Sequence, residues 1–130
     1  MKITNAYCAY EPEKFKHAFG FKGSTLSGVW QTVVALKSEG EVGIGLGIQS
    51  VLWSDSSVFA EFGEQRGNEL MFAVTEFAVK AISGKSFDKV PDIVHSIFDD
   101  CYAYAKKIVG RDDVTETFVL NALVPLDMAA

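Results

Sequence analysis

The sequence predicts an α+β domain, a three-stranded antiparallel sheet followed by three to four helices. Three observations carry this expectation. β-rich segments fill the first fifty residues, and helical periodicity governs the rest. A strict alternation over 42–49, directly after a turn signal, completes a hairpin. Strands first and helices afterwards place the helices on one face of the sheet.

Residues 1–10 read as the first strand and 11–28 as a long polar and aromatic loop. Residues 29–37 form a β-rich run, Val-Trp-Gln-Thr-Val-Val-Ala-Leu-Lys. Ser38-Glu39-Gly40-Glu41 is a turn signal. Beyond it, Val42, Ile44, Leu46 and Ile48 share one face, while Gly43, Gly45 and Gly47 share the other. A bare glycine face invites another backbone to approach closely, and a helix of the same domain is the expected partner.

The first helix is short, over 55–64, with Asp55 as its cap. The next spans 68–83, with Leu70, Val74, Phe77, Ala78 and Ala81 on one side and Gly84 as its stop. The third runs over 91–109, keeps Val94, Ile97, Cys101, Ala105 and Ile108 in register, and ends at Gly110. The last covers 116–130, with Phe118, Ala122, Leu123, Leu126 and Ala130 near one stripe. Asp113 and Glu116 suggest a capping box at its start, and Pro125 should kink it. Its end lacks a Gly or Asn cap, a basic last turn and a following Pro. It therefore reads as a helix leading into a further domain absent from this chain.

A length of 130 residues suits one domain whose core needs neither disulfide nor metal. The net charge of −5 argues against a nucleic-acid binder, which usually carries a basic face. Residues 1–40 hold five Lys against three acids, and 41–130 hold seven Lys or Arg against fourteen acids. The positive charge therefore gathers in the sheet half. Cys8 and Cys101 are too few for a disulfide scaffold and read as reduced core thiols of a cytoplasmic protein. No apolar run approaches the ~18 residues of a membrane span. The N-terminus is no secretory signal.

Several apparent motifs carry no chemistry. Gly84-Lys85-Ser86 mimics the end of a phosphate-binding loop, but Val79 stands where its first glycine belongs and no strand precedes it. His17 and His95 lack metal-ligand spacing with the cysteines. Asp99-Asp100 and Asp112-Asp113 read as solvated faces and caps. No nucleophile and base pair can be read.

Two segments carry a resemblance. Thr32-Val33-Val34-Ala35-Leu36, followed by Glu39-Gly40-Glu41-Val42-Gly43-Ile44-Gly45, looks like a second strand, a turn and a G-x-V-G-x-G third strand. Asn121-Ala122-Leu123-Val124-Pro125-Leu126-Asp127-Met128-Ala129-Ala130 looks like an Ala-rich helix with a [VIL]-D-x-A core. Together with the element order, these resemble the N-terminal capping domain of the enolase superfamily, in particular its mandelate racemase and muconate lactonizing subgroup. The resemblance covers the whole chain. Leu46 departs from it, because the family often has an acidic residue there, and so does Pro125 inside the last helix.

The resemblance implies a capping domain joined to a (β/α)-barrel of about 250 residues. That barrel would carry Mg²⁺ and a Lys or His base and would remove the proton α to a substrate carboxylate. It implies a sugar-acid dehydratase or a racemase/epimerase, a carboxylate substrate, a barrel partner and a homo-oligomer. No catalytic or metal-binding residue is expected in this chain. It further implies two loops that close over the barrel mouth, here near 14–27 and 49–57.

Those segments supply the candidate residues. The first mixes Gly20 and Gly23 with Phe15, Phe19, Phe21, Lys14, Lys16 and Lys22. Phenyl rings displace water, and lysines attract a carboxylate. His17 can change charge near neutral pH. In the second segment, Trp53 suits a pocket wall and Asp55 suits a helix cap. The substrate-binding set expected is His17, Phe19, Phe21, Lys22 and Trp53. The alternative is a free-standing α+β module that binds a small ligand or a protein without catalysis. That alternative expects no large apolar patch, whereas a capping domain should expose a face of its last helix.

Overall fold

The structure is a computed structural model that describes residues 1–130, the side chain of Phe19 excepted. The elements are β1 (Asn5–Phe21), β2 (Ser24–Ser38), β3 (Glu41–Gln49), α1 (Val51–Ser54), α2 (Ser56–Ile82), α3 (Val90–Val109) and α4 (Glu116–Ala129). The strands form one antiparallel sheet in the order β1-β2-β3. The fold class matches the sequence expectation.

The first correction concerns residues 11–28, which are not a loop. β1 begins at Asn5 and continues to Phe21, pairing with β2 almost to the tip. Lys22 (φ 49°) and Gly23 (φ 74°) make the turn. Two successive positive φ values give the primed turn whose twist suits a two-residue hairpin. Between Lys14 and Phe19 the register shifts, because Lys14 pairs with Gly28 but Phe19 with Leu26. Residues 15–18 therefore bulge from the ribbon. Alternation was invisible here because Glu11 to Lys14 have no buried face.

The glycine face of β3 packs against α4, as expected. A Cβ built on Gly45 would lie 2.0 Å from the Pro125 carbonyl oxygen, and one on Gly43 would lie 2.0 Å from that of Ala129. Helix and strand backbones touch because no side chains separate them. α4 stays helical through Pro125, whose Cδ would stand 2.8 Å from a Cβ on Gly47.

The helices bury one stripe each. α3 buries Ile93, Ile97, Cys101, Ala105 and Val109, at four-residue spacing, and ends at Gly110 in a left-handed cap. Phe118 and Leu126 of α4, Val74 and Ala78 of α2 and Val34 of β2 complete the core. The break in the second half of the chain lies elsewhere than expected. α2 is two helical pieces joined at Gly63 (φ 82°, ψ 177°), not pieces separated near 65–67. Thr115, not Asp113, caps α4, its hydroxyl accepting from the Phe118 N–H at 3.1 Å. Asp113 is occupied by Arg111, which also reaches Glu61 and Ser57.

Cys8 and Cys101 are free thiols. Burial, aided by Glu76, pushes Cys8 up to about 11. Burial, aided by Asp100, pushes Cys101 up to about 12. Both values lie above neutral pH, which favours the protonated thiol.

Asp55 joins three elements. One carboxylate oxygen accepts from the Ser57 N–H (3.1 Å), the Ser57 hydroxyl (2.7 Å) and the Val58 N–H (3.2 Å). The other accepts from the Thr115 N–H at 2.9 Å. Burial opposes ionisation, but the hydrogen bonds from Ser57, Thr115 and Val58 outweigh it and hold the carboxyl below its ordinary value. Because folding depresses this pKa, the stabilisation is present above the unfolded value near ~3.9 and is lost as pH falls through the folded one. Asp55→Asn should therefore be less stable by about 1–2 kcal/mol at pH 7. The gap should close as the pH falls through the lowered folded-state value. Urea titrations of both proteins from pH 7 to pH 2 check this, and a gap independent of pH would contradict it.

Candidate functional site

The two segments singled out in the sequence meet in space. The Lys22 ammonium, at the hairpin tip, donates to the Trp53 carbonyl on α1 at 2.6 Å. Beneath this tie lies a cavity of about 590 Å³. Phe15, Phe21, Leu26 and Val29 come from the hairpin, Ile48, Ser50 and Trp53 from the end of β3 and α1, and Thr117, Leu120, Asn121 and Val124 from α4. Its size falls in the range usual for small-molecule pockets. Its wall is mostly hydrocarbon and aromatic ring.

Each wall is held by a separate device. The hairpin is fixed at its bulge by Glu64, which follows the Gly63 break in α2. One oxygen of Glu64 accepts from the Ser27 N–H (3.1 Å) and the Gly28 N–H (3.2 Å), and the other accepts from the Ser27 hydroxyl. Gly28 is required there, because a Cβ would lie 2.4 Å from the Glu13 carbonyl oxygen.

α1 is fixed by Asn121. Its side-chain oxygen accepts from the Ser50 N–H (3.3 Å) and the Ser54 hydroxyl (2.7 Å), and its amide donates to the Ile48 carbonyl at 2.8 Å. Ser50 caps α1, its hydroxyl accepting from the Trp53 N–H at 3.4 Å. Asn121 thus ties α4 to the strand end and helix start that present Trp53. Nearby, Gln49 donates to Thr75, which donates to the Ala122 carbonyl.

The expected site residues separate into groups. Phe21 and Trp53 line the cavity, and Lys22 bridges them from the rim. His17 lies in the bulge, exposed, and does not line the cavity. The side chain of Phe19 lies outside the described residues. Asp55 is a cap, as expected. Leu26, Val29, Ile48, Leu120, Asn121 and Val124 were not singled out as lining residues. A signal existed for α4, because ETFVLNALVPLDMA is apolar on more than one side. Its second stripe, Leu120, Val124 and Met128, is 48%, 39% and 64% exposed.

Among the described residues no three His, Cys, Asp or Glu side chains come together in a way that would hold a metal ion. Among the described residues no helix is long and apolar enough to cross a membrane.

No family model and no curated protein matches the sequence. Solved structures do match in fold. The L-Ala-D/L-Glu epimerase from Bacillus subtilis, in a substrate-liganded complex, superposes with a TM-score of 0.55 at 17% identity, covering 99% of this chain and 30% of that one. A mandelate racemase/muconate lactonizing enzyme-like protein from Rubrobacter xylanophilus gives 0.56 at 15% identity, covering 99% and 29%. A dipeptide epimerase from Enterococcus faecalis, complexed with Mg and the dipeptide L-Leu-L-Tyr, gives 0.45 at 20% identity, covering 83% and 26%. The chain thus shares its fold with part of the first two structures and spans about 30% of their length.

Proposed function

We propose that this chain is the capping domain of an enolase-superfamily enzyme that removes the proton α to a substrate carboxylate. Racemisation or epimerisation is the reaction favoured. The chain closes the active site and selects the substrate, while the base and the Mg²⁺ ligands belong to a barrel domain. The observation that carries this reading is the joined pair of segments over one apolar cavity, with the hairpin tip hydrogen-bonded to α1. A closing element should hold its parts in register and present hydrocarbon to the reaction chamber, so that water leaves when it shuts.

A second feature supports the same reading. Beyond the cavity the last helix exposes Met128, and Val42, Ile44 and Leu46 of β3 are more than half exposed. Apolar surface of this extent marks an interaction face. A self-contained binding module has no need of it, whereas a capping domain rests against a barrel.

Selectivity in the intact enzyme tests the proposal. Trp53→Ala should change the ratio of kcat/KM between two carboxylate substrates by about 10-fold or more, with Mg²⁺ affinity unchanged. Lost metal affinity with unchanged selectivity would reject the closing role.

A further inference from the structure

We infer that the part of the substrate distant from its reacting carbon is apolar, a branched aliphatic or aromatic group, and not the polyol chain of a sugar acid. This deepens the proposed function and rests on it. The cavity wall around Trp53 is built from Phe15, Phe21, Leu26, Leu120 and Val124. Among the described lining residues, Ser50, Thr117, Asn121 and the Trp53 indole N–H are the polar side-chain groups.

Asn121, the most strongly polar of them, is engaged in the fold. Both ends of the Asn121 side chain are taken, by Ser50, Ser54 and the Ile48 carbonyl. The Ser50 hydroxyl accepts from the Trp53 N–H. A polyol carries several hydroxyls, and each would lose a water partner on entry with little to replace it. A phenyl or branched chain loses no hydrogen bond and covers the rings of Phe21 and Trp53. A charge is available at the rim, where Lys22 stands between Phe21 and Trp53. A cation beside an apolar chamber suits an acid with a hydrocarbon tail. The cavity has room for a six-membered ring.

Titration of the 130-residue chain with 3-phenylpropionate and, in parallel, D-gluconate tests this. NMR follows the methyl groups of Val29, Leu120 and Val124 and the indole N–H of Trp53. 3-Phenylpropionate should shift these resonances saturably, and gluconate at the same concentration should not. Leu120→Glu, at a half-exposed position and checked for retained fold by circular dichroism, should weaken binding at least about 10-fold. Phe21→Ser provides a second variant with the same expectation. Gluconate shifts at these groups, or silence toward both acids, would overturn the inference. Failure of the catalytic reading shows separately, as absence of α-proton exchange in the intact enzyme whatever acid the cavity accepts.

Discussion

Gly45→Ala is expected to destabilise the domain by at least about 4 kcal/mol, enough to leave much of it unfolded at 25 °C. The added Cβ would stand 2.0 Å from the Pro125 oxygen, 2.4 Å from the Ala129 nitrogen and 2.7 Å from the Met128 carbonyl carbon. All three are main-chain atoms of α4, so no rotamer change can relieve the clash. The helix would have to lift from β3, opening the contacts that bury Phe118 and Leu126. Gly40→Ala is the matched control. Gly40 has φ 86° in the β2–β3 turn, but a Cβ there meets nothing within 4 Å. It should lose only about 1 kcal/mol, through backbone strain. Urea unfolding of both variants measures the difference, and equal losses would show that α4 does not rest on the glycine face.

Asn121→Ala is expected to lose about 3 kcal/mol and to loosen α1. Asn121 is buried and holds three groups from 48–54. After truncation the Ser50 N–H and the Ile48 carbonyl lose their side-chain partner. The Ser54 hydroxyl keeps its alternative acceptor, the Ser50 carbonyl at 2.9 Å. Trp53 rides on the released segment, so near-UV circular dichroism should weaken along with stability. Trp30, buried and stacked on Tyr10 at 4.1 Å, supplies the unaffected background. A loss under about 1 kcal/mol with the near-UV signal intact would mean that α1 is held by its own cap.

These two residues mark the difference between what could and could not be read from the chain. The alternation of Val42, Ile44, Leu46 and Ile48 against three glycines announced both the strand and the helix that would lie on it. Such a signal is local and depends on side-chain size. Asn121 carried no such signal, because a polar residue inside an apolar helix finds its partners 67 to 73 positions away. The hairpin was hidden for another reason. Its strands run beyond the core, so Glu11 to Lys14 have no buried face to impose alternation. The positions of Phe21, Lys22 and Trp53 followed from the resemblance more than from any pattern in the residues. His17 looked suitable by chemistry alone, and the bulge turns it outward.

The central claim is that this domain closes the active site of an enzyme that removes an α-proton. The most direct test is deuterium incorporation at the α-carbon of apolar carboxylates, incubated in D2O with Mg²⁺ and the native polypeptide carrying residues 1–130. The account predicts Mg²⁺-dependent exchange that Trp53→Ala redistributes among substrates. No exchange with any carboxylate, from a protein shown to be folded and to bind Mg²⁺, would contradict it.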